Sequence, residues 1–159
     1  MIHLKTDEEI ELMRKSAKLA AEVLIMIEPY VKPGVTTNRL DEICHDFIVS
    51  NGAVPSPLNY RGFPKSICSS INEEICHGIP SDRKLRNGDV VNLDITTYLN
   101  GFHGDTSRMF HVGSARKKMT KLVETCKEAL QSAIKLVKPE AHLGDIGATI
   151  QNIAEQRGF

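Results

Sequence analysis

Four stretches of the chain carry apolar residues at the spacing of an amphipathic helix. The first begins after Thr6, where Glu9 completes a capping box, and Pro29 ends it. The second follows Thr37 and stops at Gly52, a residue suited to a helix C-terminus. The inward positions expected are Ile10, Met13, Ala17, Ala20, Leu24 and Ile27 in the first helix, and Leu40, Ile43, Cys44, Phe47 and Ile48 in the second.

Two further helices are predicted at about 117–137 and 143–156, after a strand- and loop-rich region over about 54–112. Gly158 follows the last helix. The inward positions expected are Met119, Leu122, Val123, Cys126, Leu130 and Ile134 in the third helix, and Ile146, Ile150 and Ile153 in the fourth.

The two helix pairs resemble each other at an offset of 106 residues. Val31-Lys32-Pro33 recurs as Val137-Lys138-Pro139, and Gly52 corresponds to Gly158. The repeat predicts a domain built from two similar halves, although two unrelated amphipathic pairs could share these few identities. A strand-rich block follows only the first pair. We therefore expect residues 1–159 to form a single domain that is the N-terminal part of a larger, truncated one.

The strongest local signal is a β-hairpin in which two strand-like runs flank Asn100-Gly101. With a two-residue turn, opposite residues have numbers that sum to 201, so Asp94 faces Ser107 and Asp105 faces Thr96. Both carboxylates then lie on one face as diagonal neighbours, where they could converge on a pair of metal ions. A one-residue bulge would separate them, and two solvated acids on an exposed hairpin remain the alternative.

Composition narrows the class of partner. Twenty basic and twenty acidic residues cancel, so no bulk charge favours nucleic acid or an anionic membrane. No apolar run reaches transmembrane length, and the first residues lack a signal-peptide core. The four cysteines form no CxxC pair, which favours free thiols in a reducing cytoplasm. His45 has no partner in the pattern and is expected at the surface.

Two stretches before the hairpin carry candidate chemistry. His77 precedes a Gly-Ile-Pro turn and could face a cleft, where a neutral imidazole could bind metal or donate a hydrogen bond to a substrate. A histidine satisfied within its own turn is the alternative. Tyr60, Phe63 and Cys68 cluster beside a Gly-Phe-Pro turn and could form the apolar wall of a small pocket. Ordinary core packing is the alternative there.

Six short motifs occur in a specific order and spacing: Val31-Lys32-Pro33-Gly34, Pro64-Lys65-Ser66, Ser70-Ile71-Asn72-Glu73, Cys76-His77-Gly78-Ile79-Pro80, Gly88-Asp89-Val90-Val91-Asn92-Leu93-Asp94, and Gly101-Phe102-His103-Gly104-Asp105-Thr106-Ser107. Over nearly the whole chain they resemble the type I methionine aminopeptidases of the short bacterial kind. The resemblance implies an α+β pita-bread fold of the creatinase/aminopeptidase type, with an antiparallel sheet, flanking helices and a pseudo-twofold repeat. This fold agrees with the internal repeat.

The resemblance implies a metallopeptidase that removes the N-terminal methionine from nascent proteins, preferably when the second residue is small. Asp94 would chelate one of two divalent ions and Asp105 would bridge both. A hydroxide held between the ions would attack the first peptide carbonyl. The ligand types suit cobalt, manganese, iron or zinc.

His77 is implied to be the catalytic residue that contacts the substrate near the scissile amide. The resemblance also implies that Tyr60, Phe63 and Cys68 line the pocket for the methionine side chain. The family's remaining metal ligands, a histidine and two glutamates, lie beyond Phe159, as does a second substrate-contacting histidine. We therefore expect this 159-residue chain to be inactive alone.

The partners implied are the N-termini of nascent polypeptides in the cytoplasm, with ribosome association as a further family expectation and a monomeric parent protein. Two alternatives remain open. A prolidase-like peptidase of the same fold is one, although such enzymes usually carry an extra N-terminal domain. The other is a non-catalytic peptide-binding protein of this fold that has lost its metals.

Overall fold

A computed structural model of the protein describes residues 2–159. They form two compact units, one ending at Ser114 and one comprising Ala115–Phe159. The helices are α1 (Asp7–Ile27), α2 (Thr37–Ser50), α3 (Lys117–Ile134) and α4 (Leu143–Gln156), and the strands are β1 (Val54–Pro55), β2 (Cys68–Ile71), β3 (Val90–Leu99) and β4 (Phe102–His111). The four predicted helices and the strand-rich region between them are thus confirmed, whereas the single domain over 1–159 stays a prediction.

β3 is the central strand of a four-stranded antiparallel sheet in the first unit. β4 pairs with β3 along one side, while β1 and β2 pair with different parts of its other side. The turn between β3 and β4 places Asn100 at φ 54° and Gly101 at φ 86°. A type I′ hairpin turn requires positive φ at both central residues, so the predicted Asn-Gly turn is confirmed.

α1 begins with the predicted capping box, in which the Thr6 Oγ1 accepts from the Glu9 N–H at 3.2 Å and the Glu9 carboxylate accepts from the Thr6 N–H at 2.8 Å. The helix packs on β3 and β4. At the crossing point, the Thr97 Oγ1 donates to the Ser16 carbonyl at 2.9 Å. Gly104 lies so close that a Cβ there would overlap the Ser16 backbone. The hairpin is thereby held against the helix.

The predicted inward face of α1 is wrong towards its N-terminal end. Ile10, Met13 and Ala17 are exposed. The buried residues are Ser16, Leu19 and Val23 together with the predicted Ala20, Leu24 and Ile27. Burial in α1 thus begins at Ser16, and apolar spacing alone does not bury the earlier turns.

α2 is capped by Thr36, whose Oγ1 accepts from the Arg39 N–H at 3.1 Å, and Gly52 follows it at φ 75°. Of its predicted inward residues, Leu40, Cys44 and Ile48 are fully buried, while Ile43 and Phe47 pack partly buried against the same core. α2 also buries Thr37 and Asp41. The buried carboxylate of Asp41 is not part of the apolar pattern.

A hydrogen-bonded pair fixes the start of β3. The Asp89 carboxylate accepts from the Asn72 side-chain amide and from the Arg86 N–H, both at 2.9 Å. The Asn72 Oδ1 in turn accepts from the Val90 N–H at 3.0 Å. The loops before β3 are therefore tied to its first residue.

The second unit consists of α3 and α4, which pack on each other. Most of the large side chains predicted to face inward are exposed, among them Leu122, Cys126, Leu130 (56%) and Ile134 (54%). α3 buries Thr125, Ala129 and Ala133 instead. In α4, Ile146 and Ile153 are half-buried and Ile150 is exposed. A pair of helices has no third layer to cover the rest of an apolar face.

The internal repeat is visible in the elements. α4 starts and ends 106 residues after α2, since 37 and 50 become 143 and 156. The glycines that follow the two helices have φ 75° at Gly52 and 81° at Gly158. Within residues 2–159, no helix is both long and apolar enough to cross a membrane.

Candidate active site

The β3–β4 hairpin brings Asp94 and Asp105 to one face of the sheet. Asp94 pairs with Ser107 and Asp105 with Thr96, as the turn predicts, so the two acids are diagonal neighbours. Ile95, which alternates with these positions, is fully buried in the core. The parity on which the predicted pairing depends is therefore confirmed, and no bulge separates the acids.

The two acids act on each other electrostatically. The pKa of the Asp94 carboxyl is raised, first by burial, then by the charge of Asp105 and a hydrogen bond with it, while the nearby His77 opposes the shift. Two carboxyls that share a partly buried site repel each other when both are ionised. A divalent cation would relieve that repulsion, and oxygen ligands of this type suit one.

The acids lie in a cavity of about 640 Å³. All six predicted site residues line it: Asp94, Asp105, His77, Tyr60, Phe63 and Cys68. The structure thus brings together residues that the sequence places in three separate stretches. Their individual roles remain predictions.

His77 stands at the cavity in the loop between β2 and β3, with φ at 56°. The adjoining Gly78 is hydrogen-bonded to β2. Its carbonyl accepts from the Ser69 N–H at 2.8 Å, and its N–H donates to the Ser70 Oγ at 3.1 Å. A Cβ on Gly78 would overlap the Ser69 carbonyl oxygen. This close approach holds the loop in place and presents an exposed imidazole to the cavity.

The apolar side of the cavity comes from the loop that precedes β2. Tyr60 opens a short 3₁₀ turn in which Arg61 adopts φ 48°, and Tyr60 remains exposed while Phe63 is half-buried. Cys68 opens β2 opposite Asp94. Burial, and then the charge of Asp94, raise the pKa of the Cys68 thiol to about 11. At neutral pH the Cys68 thiol is therefore uncharged.

Ser56, Thr96 and His103 also line the cavity, and none was among the predicted site residues. The His103 Nδ1 and the Ser56 Oγ form a hydrogen bond of 2.9 Å, and the Ser56 N–H donates to the Thr96 carbonyl at 2.9 Å. His103 lies two residues before Asp105 on β4, so strand parity places the two side chains on the same face.

The surface position predicted for His45 is wrong. The residue is half-buried, and its Nδ1 forms a hydrogen bond of 2.8 Å with the Ser66 Oγ. The contact joins α2 to the loop before β2, a pairing 21 residues apart in sequence that no local pattern reveals.

The residues present fit a metal site only in part. Asp94 and Asp105 supply carboxylate oxygens in one cavity, but nowhere in residues 2–159 do three or more His, Cys, Asp or Glu side chains converge to hold a metal ion. Two-metal hydrolase sites use more ligands than two.

An antiparallel sheet packed against helices, with paired aspartates in a cavity, is compatible with a metal-dependent hydrolase. Residues 11–159 match the family described as Metallopeptidase family M24, and the chain belongs to this family. Because metallopeptidases use metal ions in catalysis, membership of this family implies divalent metal ions.

The chain is similar to methionine aminopeptidases throughout its length. It is 54% identical over 160 residues to that of Escherichia coli and 51% identical over 158 residues to that of Rickettsia prowazekii. Each alignment covers 99% of this chain but 61% of the relative. The chain thus spans about three fifths of the length of these relatives.

Solved structures confirm the fold. The crystal structure of methionine aminopeptidase from Rickettsia prowazekii superposes with a TM-score of 0.96 at 52% identity, covering 98% of this chain and 63% of that one. The prolidase from Pyrococcus furiosus has a TM-score of 0.83 at 22% identity, covering 98% of this chain and 45% of the other. The latter likeness shows the fold alone. The expected α+β pita-bread fold, with its antiparallel sheet and flanking helices, is confirmed.

Proposed function

We propose that this chain carries part of the active site of a metalloaminopeptidase that removes the N-terminal methionine from nascent proteins, preferably when the second residue is small. The observation that carries the proposal is the placement of Asp94 and Asp105 side by side in a cavity whose other wall is apolar. The identity above 50% to methionine aminopeptidases supports it.

In this proposal, Asp94 and Asp105 hold two divalent ions, for which cobalt, manganese, iron and zinc are candidates. Such ions supply a Lewis acid that polarises a peptide carbonyl and lowers the pKa of a water molecule. The carboxylates contribute negative charge on one side of the cavity.

Tyr60, Phe63 and Cys68 bind the methionine side chain in this assignment. Their aromatic and thiol groups offer an apolar surface on which a thioether packs favourably. His77 acts at the mouth of the cavity, where its exposed imidazole donates a hydrogen bond to the substrate near the scissile amide. The left-handed backbone at this residue, φ 56°, is conformational strain of the kind found at functional sites.

Residues 1–159 taken alone are proposed to be inactive. Two carboxylates leave most coordination positions of two metal ions unfilled, so affinity and geometry both fall short of what hydrolysis needs. The complete protein is proposed to act as a monomer on nascent chains in the cytoplasm, near the ribosome.

Metal binding by the purified chain tests the ligand assignment. Manganese should bind weakly, as measured by isothermal titration calorimetry, and Asp94→Asn and Asp105→Asn should each abolish the binding. Asp46→Asn, which removes an exposed carboxylate on α2, is the matched control and should bind as the wild type does. Equal binding by all four proteins would contradict the assignment.

Activity is tested on a chimaera in which the Escherichia coli relative supplies the residues that follow the matched region. With manganese or cobalt it should release methionine from a Met-Gly peptide, and Asp105→Ala should abolish release. The 159-residue chain should show none. Hydrolysis of Xaa-Pro dipeptides in place of Met-Gly would favour the prolidase alternative. Peptide binding without any turnover would favour the binding protein.

A further inference from the structure

Segment 63–68 joins two parts of the cavity wall, since Phe63 stands at its start and Cys68 at its end. We call these residues the wall segment. The loop just before it is irregular, with left-handed backbone at Asn59 (φ 66°) and Arg61 (φ 48°). The position of the wall segment therefore depends on contacts with residues outside the cavity lining.

Asp41 on α2 makes such a contact with the wall segment. Asp41 is 6% exposed, and one carboxylate oxygen, Oδ1, accepts from the backbone N–H groups of Ser66 at 2.8 Å and Ile67 at 3.1 Å. The other oxygen lies 3.9 Å from the Lys65 Nζ. One side chain thus contacts three consecutive residues of the wall segment.

His45, one helical turn after Asp41, adds a second contact to the same place through the 2.8 Å hydrogen bond between its Nδ1 and the Ser66 Oγ. Residues four apart lie on the same face of a helix. α2 therefore holds the wall segment with two polar side chains on a face that also carries the buried Leu40 and Cys44.

A carboxylate in this position is costly unless its bonds compensate for burial. Bonds from backbone N–H groups to a charged acceptor are among the strongest that proteins make. An apolar residue would extend the α2 stripe at less cost, but it would leave two N–H groups of the wall segment without this acceptor. The Asp41 carboxylate is thus placed where it fixes the backbone of the wall segment, not where it stabilises α2.

We propose that Asp41 is a positioning residue that sets the fit of the cavity to a methionine side chain by fixing the wall segment. The proposal rests on the proposed function, because it takes the cavity to be the methionine pocket. Asp41 itself does not line that cavity. It acts through the residues at the two ends of the wall segment.

The first test measures the wall directly. Cys68 is 7% exposed and Cys44 is 0% exposed, so the rate at which iodoacetamide alkylates each, read by mass spectrometry, reports the wall and the core separately. In Asp41→Ala, alkylation of Cys68 should speed up by roughly tenfold to a hundredfold, with a smaller rise in Asp41→Asn. Cys44 should stay slow, and the control Asp46→Asn should leave both rates unchanged.

An unchanged Cys68 rate in Asp41→Ala would overturn the proposal. A rise at Cys44 in Asp41→Ala beyond the rise in Asp41→Asn would also overturn it. Both variants remove the carboxylate charge that, after burial, raises the pKa of Cys44, so only the excess shows that Asp41 supports the whole fold rather than the wall. Asp41→Asn keeps one acceptor oxygen and guards against loss of folding in the alanine variant.

The second test measures fit. L-methionine and L-leucine are titrated, with manganese present, into wild-type, Asp41→Asn and Asp46→Asn protein. Preference for methionine over leucine should fall several-fold in Asp41→Asn alone, whereas a purely structural role would weaken both ligands equally. Absence of any methionine binding by the wild type would contradict the assignment of the cavity as the methionine pocket, on which the proposal rests. An unchanged preference in Asp41→Asn, with the wild type binding, would contradict the role of Asp41 only.

Discussion

The crossing of α1 over the hairpin offers a demanding test of the fold that positions the acids. Gly104 is paired with Thr97 in the β3–β4 ladder. A Cβ at this position would overlap backbone atoms of Ser16 and Ala17 rather than the end of a flexible side chain. Carbon contacts need about 3.5–4 Å, so Gly104→Ala would force α1 and the hairpin apart by about 1 Å.

The size of the effect follows from three terms. Overpacking of this kind costs about 1–3 kcal/mol, and rigid backbone as the obstacle places it near the upper end. Separation also weakens the 2.9 Å bond from the Thr97 Oγ1 to the Ser16 carbonyl, a further loss of about 1 kcal/mol. The lower entropy of an unfolded alanine chain returns about 0.5–1 kcal/mol. The net loss is about 3 kcal/mol, a large part of the 5–15 kcal/mol typical of a domain.

Urea unfolding followed by far-ultraviolet circular dichroism measures this loss. Gly147→Ala is the matched control, because Gly147 lies inside α4 with nothing within 4 Å of its would-be Cβ. The same substitution there should stabilise the helix, by up to about 1 kcal/mol. A Gly104→Ala protein within about 0.5 kcal/mol of the wild type, the usual range for neutral surface changes, would refute the reasoning.

Three further outcomes are expected. Ser69→Ala should raise the free energy of unfolding by about 1 kcal/mol, because the buried Ser69 Oγ has no hydrogen-bond partner in the described chain; a lower melting temperature would contradict this. Although burial opposes it, hydrogen bonds and nearby arginine charge hold the pKa of Asp89 below its ordinary 3.8. The lowered pKa stabilises the folded state at pH values above the pKa of unfolded Asp89, and this stabilisation is lost as the pH falls through the folded pKa. The free energy of unfolding should therefore fall less steeply with decreasing pH in Asp89→Asn than in the wild type. Exposed Cys76 and Cys126 should alkylate quickly at mildly alkaline pH. Cys44 should not react without unfolding, since burial and then a nearby carboxylate raise its pKa to about 12; equal rates would show that the core opens.

The hairpin could be predicted from sequence because its determinants are local. Asn100-Gly101 selects a turn with positive φ at both residues, and the turn length fixes which residues face each other. The relative placement of Asp94 and Asp105 follows from counting alone, and the observed register agrees. Strand parity carries over such short distances without help from the rest of the fold.

The support behind the cavity could not be predicted in the same way. Asp41 looks like an ordinary polar residue on α2, and its bonds reach 25 and 26 residues along the chain. The backbone of His77 is set by the contact of Gly78 with β2, which again joins separate segments. Hydrophobic periodicity identifies elements, but it contains no information on which polar groups meet between them.

The exposed apolar residues of α3 show a second limit of prediction from sequence. Shifted by 106 residues, its exposed Leu122, Cys126 and Leu130 correspond to Ser16, Ala20 and Leu24 of α1. Those three α1 residues are buried, in a helix that packs on β3 and β4, whereas Ala115–Phe159 contains helices and no strand. The apolar pattern of α3 is thus that of a helix suited to pack on a sheet. Only the layer that would cover the face decides whether those residues are buried.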